Sequence, residues 1–181
     1  PRWAAYKAAL EAAVAGTADV ETLAKTNIEV LSDMQSVVKA IEAESKVATG
    51  TVWGVVVNLA GRQRMFSQKL TKELYFVSLG KDAETHRAAL KQTSTMFERT
   101  LKGLQGGDAE VGLPPTTDGK AREQLGTVAK VWGEFSAIVG KVVAGTPLAP
   151  EDLRKASELN VQLLGEADKA VTIFQDLASG K

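Results

Sequence analysis

The chain has 181 residues, 44% of them hydrophobic and 24% charged, with 22 basic residues balancing 22 acidic ones. This length and composition suit one ordinary domain or two small ones around a packed core, and exclude a largely disordered chain. The cancelled charge leaves no electrostatic footprint for nucleic acid, and the absence of cysteine excludes disulfides, thiolate metal sites and a cysteine nucleophile.

In chain order, Trp3, Tyr6, Leu10, Ala13 and Val14 recur at helical spacing and stop at Ala15-Gly16-Thr17, a C-cap signal. A second helical period starts near Asp19 and runs through Val20, Leu23, Asn27, Val30, Leu31, Met34, Val37, Val38 and Ile41. No proline stands between Asp19 and Leu79, so the pattern predicts one nearly continuous helix from about residue 20 to 79. The weak point is Gly50–Gly54, where a kink is expected. Leu79-Gly80-Lys81-Asp82 ends this helix, and Asp82 is placed to cap the next one, which carries Leu90, Thr93, Phe97, Leu101 and Leu104. A long loop is expected from Gly106 to Gly119, with Thr116-Thr117-Asp118 as turn and cap. The next helix carries Ala121, Leu125, Val128, Val131, Trp132, Phe135, Ile138, Val139 and Val142, with Trp132 and Phe135 expected inside, and stops at Ala144-Gly145-Thr146. Pro150 opens the last helix in its first turn, with Leu153, Ala156, Leu159, Leu163, Leu164, Ala167, Val171, Phe174 and Leu177 after it. The expected class is all-α, antiparallel bundles of near-parallel helices with no sheet.

The stretch Asn58 to Leu70 has two faces that ask for burial. At about 100° per residue, Val56, Leu59, Gln63, Phe66, Leu70, Leu74 and Val77 form the core stripe. Nearly opposite run Asn58, Gly61, Met65 and Gln68, with no charge until Lys72. A mid-helix glycine costs roughly 1 kcal/mol against alanine, and a second helix approaching at Gly61 would offset it. Arg64 and Lys69 flank the stripe, so two copies of it would set cations around a small polar gap. A homodimer through this stripe is therefore expected; the other reading is a tolerated glycine on a solvated face.

Asn58-Leu-Ala-Gly-Arg-Gln-Arg-Met-Phe-Ser-Gln-Lys69 resembles the signature of the PilJ-type sensor domain, the extracytoplasmic input module of type IV pilus chemoreceptors and related bacterial sensors. It is similar, more loosely, to the first helix of nitrate- and nitrite-responsive sensor histidine kinases, through Asn58, Ala60-Gly61, Arg64-Met65 and Ser67. The wider resemblance runs from about Thr51 to the C-terminus, through Gly112-Leu-Pro-Pro and the Trp132 helix; residues 1–50 fall outside it. It implies a periplasmic, signal-transducing role without a cofactor, and a small inorganic anion, nitrate or nitrite, as ligand. By the same resemblance Arg64 matches the arginine that contacts nitrate, and Gly61 the close-approach glycine. Lys69 stands where the nitrate-sensing relatives have a second arginine, keeping the charge but losing the planar fork. Asn58 and Gln68 complete the candidate ligand-binding set. Phe66 is bulkier than the usual aliphatic residue there.

An internal repeat is independent of that resemblance. Trp3, Tyr6, Leu10, Val14 and Ala15-Gly16-Thr17 align with Trp132, Phe135, Val139, Val143 and Ala144-Gly145-Thr146 at constant offset. After four inserted residues, Asn27, Val30, Leu31, Val38 and Ile41 align with Asn160, Leu163, Leu164, Val171 and Phe174. Residues 1–50 thus read as the closing helix pair of a preceding module and 51–181 as a complete four-helix module.

Catalysis finds little support: no nucleophile with a base, no paired carboxylates, no phosphate-cradling glycine loop, and one histidine, His86, among charged residues at a helix start. The acidic residues read as solvent-facing. No run reaches the roughly 20 apolar residues that span a bilayer, so any membrane contact or secretion signal is expected outside these residues. Three non-catalytic classes stay open: an anion sensor, a module contacting a pilin or another protein without a small ligand, and a dimerising spacer.

Overall fold

The computed structural model describes residues 2–17, 19–49 and 52–180. They fall into two compact units, Pro1–Thr51 and Val52–Lys181. The first unit holds α1 (Arg2–Val14) and α2 (Val20–Thr49); the second holds α3 (Trp53–Ser78), α4 (Ala83–Gly106), α5 (Gly119–Val143) and α6 (Pro150–Ala178). Where the helical period predicts one helix over 20–79, the structure has α2 and α3; the expected kink point at Gly50, with Thr51, lies outside the described residues, while Gly54 falls in the first turn of α3.

In the second unit α3 packs against α4 and α6, α5 packs against the same two helices, and α3 meets α5 across the middle. Successive helices are neighbours and α6 closes back on α3, which is four-helix bundle topology. The core stripes are those the helical period marks out. Phe66, Leu70 and Leu74 of α3, Leu90, Phe97 and Leu101 of α4, Leu125, Trp132 and Phe135 of α5, and Leu159, Leu163 and Phe174 of α6 are all buried. Trp132 stacks on Phe97 with ring centroids 4.3 Å apart and meets Phe135 edge-on, which ties α5 to α4 at mid-bundle. Among the described residues the β structure is a single bridge between Asp108 and Leu113.

The long loop is folded. Gly107, at φ +88°, could not take a side chain, because a Cβ there would stand 3.0 Å from the Pro115 nitrogen. Asp108 caps the 3-10 turn Ala109–Val111 by accepting from the Glu110 N–H at 3.1 Å. Arg99 of α4 donates to Asp108 at 3.1 Å and also pairs with Glu110. Its hydrogen bond holds the Asp108 carboxyl below the usual range. Thr116 donates to the Leu104 carbonyl at 2.6 Å, and Asp118 caps α5 by accepting from the Ala121 N–H at 2.9 Å. Asp82 does stand at the N-cap of α4, but not as expected: it is left-handed (φ 40°) and its side chain makes no capping bond. The preceding Gly80 turn, at φ +67°, delivers the chain to α4 and replaces side-chain capping as the device that turns the corner.

In the first unit α1 and α2 pack on each other through Ala9, and Asn27 donates to the Tyr6 hydroxyl at 3.1 Å. Most of their large apolar side chains stay exposed, among them Trp3, Ile28, Met34, Val37 and Ile41.

Candidate functional site

The expected second stripe of α3 lies alongside α6. Arg64, Met65 and Gln68 of α3, with Val161, Leu164, Gly165 and Asp168 of α6, line an open groove of about 590 Å³. Gln68 Nε2 donates to Asn160 Oδ1 at 3.0 Å, and Arg64 Nη1 to Asp168 Oδ1 at 2.5 Å, so Gln68 of the stripe and the flanking Arg64 are both held by α6 of the same chain. Ser67, fully buried, donates to the Arg64 carbonyl at 2.8 Å. A Cβ placed on Gly61 would meet only Arg64 Nη2, at 3.9 Å. Nothing inside the bundle therefore requires glycine at this position.

Asn58, one turn earlier, is half-buried, and its Nδ2 is fully covered yet has no hydrogen-bond partner among the described residues. A covered amide donor left unpaired costs about 1–3 kcal/mol. Arg64 and Asp168 keep 43% and 59% of their side-chain surface exposed. Such a surface pair is worth about 0–1 kcal/mol, so the guanidinium is held only loosely.

Lys69 is already engaged within the bundle. Its Nζ sits 3.1 Å from Glu73 Oε1, as does Lys72 Nζ, and Glu73 itself is 2% exposed. The reading of all acidic residues as solvent-facing fails here. On its other oxygen Glu73 is bonded to Nδ1 of His86, which is buried and stacked on Phe76 with centroids 4.6 Å apart. Burial by itself would raise the Glu73 carboxyl; the His86 hydrogen bond and the charges of Lys72 and Lys69 outweigh it, and the net direction is down. An ionised Glu73 can only accept, so His86 Nδ1 carries the proton of that bond. Lys72 is lowered by its own burial, against the pull of Glu73. Lys69 thus belongs to an internal ionic cluster that knots α3 to the start of α4, while Arg64 and Gln68 remain with the α3–α6 face.

Sequence reasoning missed the α6 half of this face and the Glu73–His86 pair. The repeat alone marks Asn160 and Leu164, and nothing local singles out Asp168.

Among the described residues no helix is long and apolar enough to cross a membrane. The methyl-accepting chemotaxis protein McpN of Pseudomonas aeruginosa is 32% identical over 118 residues, 65% of this chain and 21% of that protein. Protein PilJ of the same organism is 23% identical over 129 residues, 69% of this chain and 19% of that protein. The chain thus spans about a fifth of the length of these curated relatives. The solved ligand binding domain of the P. aeruginosa nitrate receptor McpN superposes with a TM-score of 0.60 at 32% identity, over 68% of this chain and 95% of that domain. The family model of the type IV pili methyl-accepting chemotaxis transducer N-terminal domain (PilJ) matches residues 53–159, which take in α3, α4, α5 and the first turns of α6; the chain belongs to that family.

Proposed function

We propose that this chain is the extracytoplasmic, periplasmic input module of a bacterial chemotaxis transducer, and that it binds a small oxyanion, nitrate first and nitrite second, at a homodimer interface. The observation that carries this reading is Arg64, part-exposed and held only by an exposed carboxylate, beside the open space over Gly61. A second copy of α3 approaching at Gly61 would bring two guanidinium groups together. Their mutual repulsion is relieved by an anion between them, and a planar fork fits a planar oxyanion. In this reading Gly61, Asn58 and Gln68 complete the site. The Asp168 partner is an exposed carboxylate that an anion displaces at little cost. Lys69 contributes less than the resemblance implied, because Glu73 already neutralises it. The similarity to the ligand binding domain of a nitrate receptor supports the choice of nitrate.

Titration calorimetry with nitrate, nitrite, chloride and sulfate, on the unsubstituted chain and on Arg64→Ala, tests this. Nitrate heat that disappears in the alanine variant is expected. Absent heat for every anion, or nitrate binding unchanged in Arg64→Ala, removes the site. The second reading, a module that docks a pilin or another protein, draws on a different observation: Arg64 and Gln68 already have partners on α6, and exposed Val161 gives the groove an apolar edge.

A further inference from the structure

The repeat is present in three dimensions as well as in sequence. At the end of α1, N–H groups of Ala15, Gly16 and Thr17 bond to carbonyls of Glu11, Ala13 and Ala12 at 3.0, 3.0 and 2.9 Å, with Gly16 at φ +72°. At the end of α5, Ala144, Gly145 and Thr146 bond to Gly140, Val142 and Lys141 at 2.9, 3.0 and 2.9 Å, with Gly145 at φ +80°. The two turns have the same hydrogen-bond pattern at the same offset. An aspartate then serves each next helix start, by a different bond: Asp19, just before α2, accepts from the Glu21 and Thr22 N–H groups, and Asp152, in the first turn of α6, from that of Ala149.

What differs is cover. Trp132 is 6% exposed beneath α4, whereas its counterpart Trp3 is 61% exposed; Phe174 is 1% exposed, whereas Ile41 is 60%. In the second unit, burial of the α5–α6 face is completed by α3 and α4. Asn160 there accepts from Gln68 of α3, and Asn27 holds the equivalent place on α2.

We infer that the apolar face of the α1–α2 pair is the seat of a second helix pair of the α3–α4 kind, lying N-terminal to Pro1 in the full polypeptide. It carries an apolar stripe like that of Phe66, Leu70, Phe97 and Leu101. The chemistry of the seat is an exposed aromatic and aliphatic stripe, which selects an amphipathic helix pair over a small ligand. The α3–α4 pair of a second copy is not available for this role, since its own α5–α6 already covers the same face. This inference does not depend on the anion.

The chain has no cysteine, so single-cysteine reporters at Leu10→Cys and Ile41→Cys, with Val111→Cys as control, give alkylation rates free of background. In the isolated 181-residue chain the first two should react as readily as the control. In the full polypeptide they should slow about tenfold or more, with the control unchanged. Equal rates in both contexts overturn the inference. So does slowing in the isolated chain that grows with its concentration, which would mean that this face pairs with a second copy. Hydrogen exchange on the unsubstituted proteins covers the case of a variant that does not fold: α1 and α2 should gain the protection of α5 and α6 only in the full polypeptide. Unchanged protection has the same force against the inference.

Discussion

Glu73 is a buried carboxylate at the α3–α4 corner. One carboxylate answers Lys69, Lys72 and His86, and three partners are left without it if it is neutralised. Removing one side of a buried ionic cluster costs about 3–5 kcal/mol. Glu73→Gln is therefore expected to lower stability by roughly 3 kcal/mol or more in urea denaturation at neutral pH. Glu98→Gln, which breaks only the exposed pair with Lys102, should cost under about 1 kcal/mol. The acid side follows from the direction of the Glu73 shift. Its folded value lies below its unfolded one, so its stabilisation is complete above the ordinary carboxylate range, about pH 4.3, and is lost as the pH falls through the lowered value. Asp108, held down chiefly by its hydrogen bond from Arg99, is lost in the same acid direction and loosens the α4–α5 loop with it. Melting temperature measured from pH 7 downward should fall in that acid range, and Glu73→Gln should flatten the fall. Neither feature was legible from the sequence, because His86 lies among charged residues at a helix start and only the α3–α4 corner buries it. Arg64 belongs to this scale too. Asp168→Asn removes the carboxylate that competes for its guanidinium, so nitrate affinity by calorimetry should rise; a fall would mean that Asp168 helps to form the site.

At the scale of elements, α3 is a helix with one face committed to the core and a second one open. The 3.6-residue period gave away the first: Phe66, Leu70 and Leu74 were readable because apolar residues at that spacing leave no other place for themselves. The same holds for Phe97 and Trp132, whose stacking follows once α4 and α5 are neighbours. The second face was readable as a stripe but not as a groove, since its other wall comes from α6. Arg64 and Asp168 are 104 residues apart in sequence, and no local pattern pairs them. The open space over Gly61 makes a sharp test of what covers it. If the face meets solvent, Gly61→Ala should stabilise the protein by about 1 kcal/mol through helix propensity alone. If a second α3 approaches closely, as the dimer requires, the added methyl should weaken the dimer, and Gly61→Leu should break it while Gly54→Leu leaves it intact. Light scattering distinguishes the two, and dimers surviving in both leucine variants would remove the second buried face.

At the scale of the whole molecule, a ligand held between two copies of α3 has a consequence that a ligand held within one bundle does not. Binding to one copy stabilises the folded state by RT ln(1 + [L]/Kd), about 2.7 kcal/mol at one hundred times Kd. Binding across the axis adds a second dependence, because folding, pairing and occupancy then share one equilibrium. Nitrate should therefore raise the melting temperature, and also shift the monomer–dimer balance toward dimer at fixed protein concentration. By reciprocity, a more concentrated protein should bind nitrate more tightly. A pilin-binding or spacer module shows neither effect with any small anion. The coupling also indicates how a signal would leave the site. Arg64 and Gly61 sit on a helix that runs unbroken from Trp53 to Ser78, so in the proposed dimer a change in spacing at the anion would displace that whole helix against its symmetry mate. The decisive measurement is sedimentation at several protein concentrations with and without nitrate, repeated on Arg64→Ala. A nitrate-dependent shift to dimer that Arg64→Ala abolishes is the expected result. A melting temperature raised by nitrate with no change in association state would place the anion inside one bundle, where the Arg64–Asp168 groove between α3 and α6 would be the site to alter next.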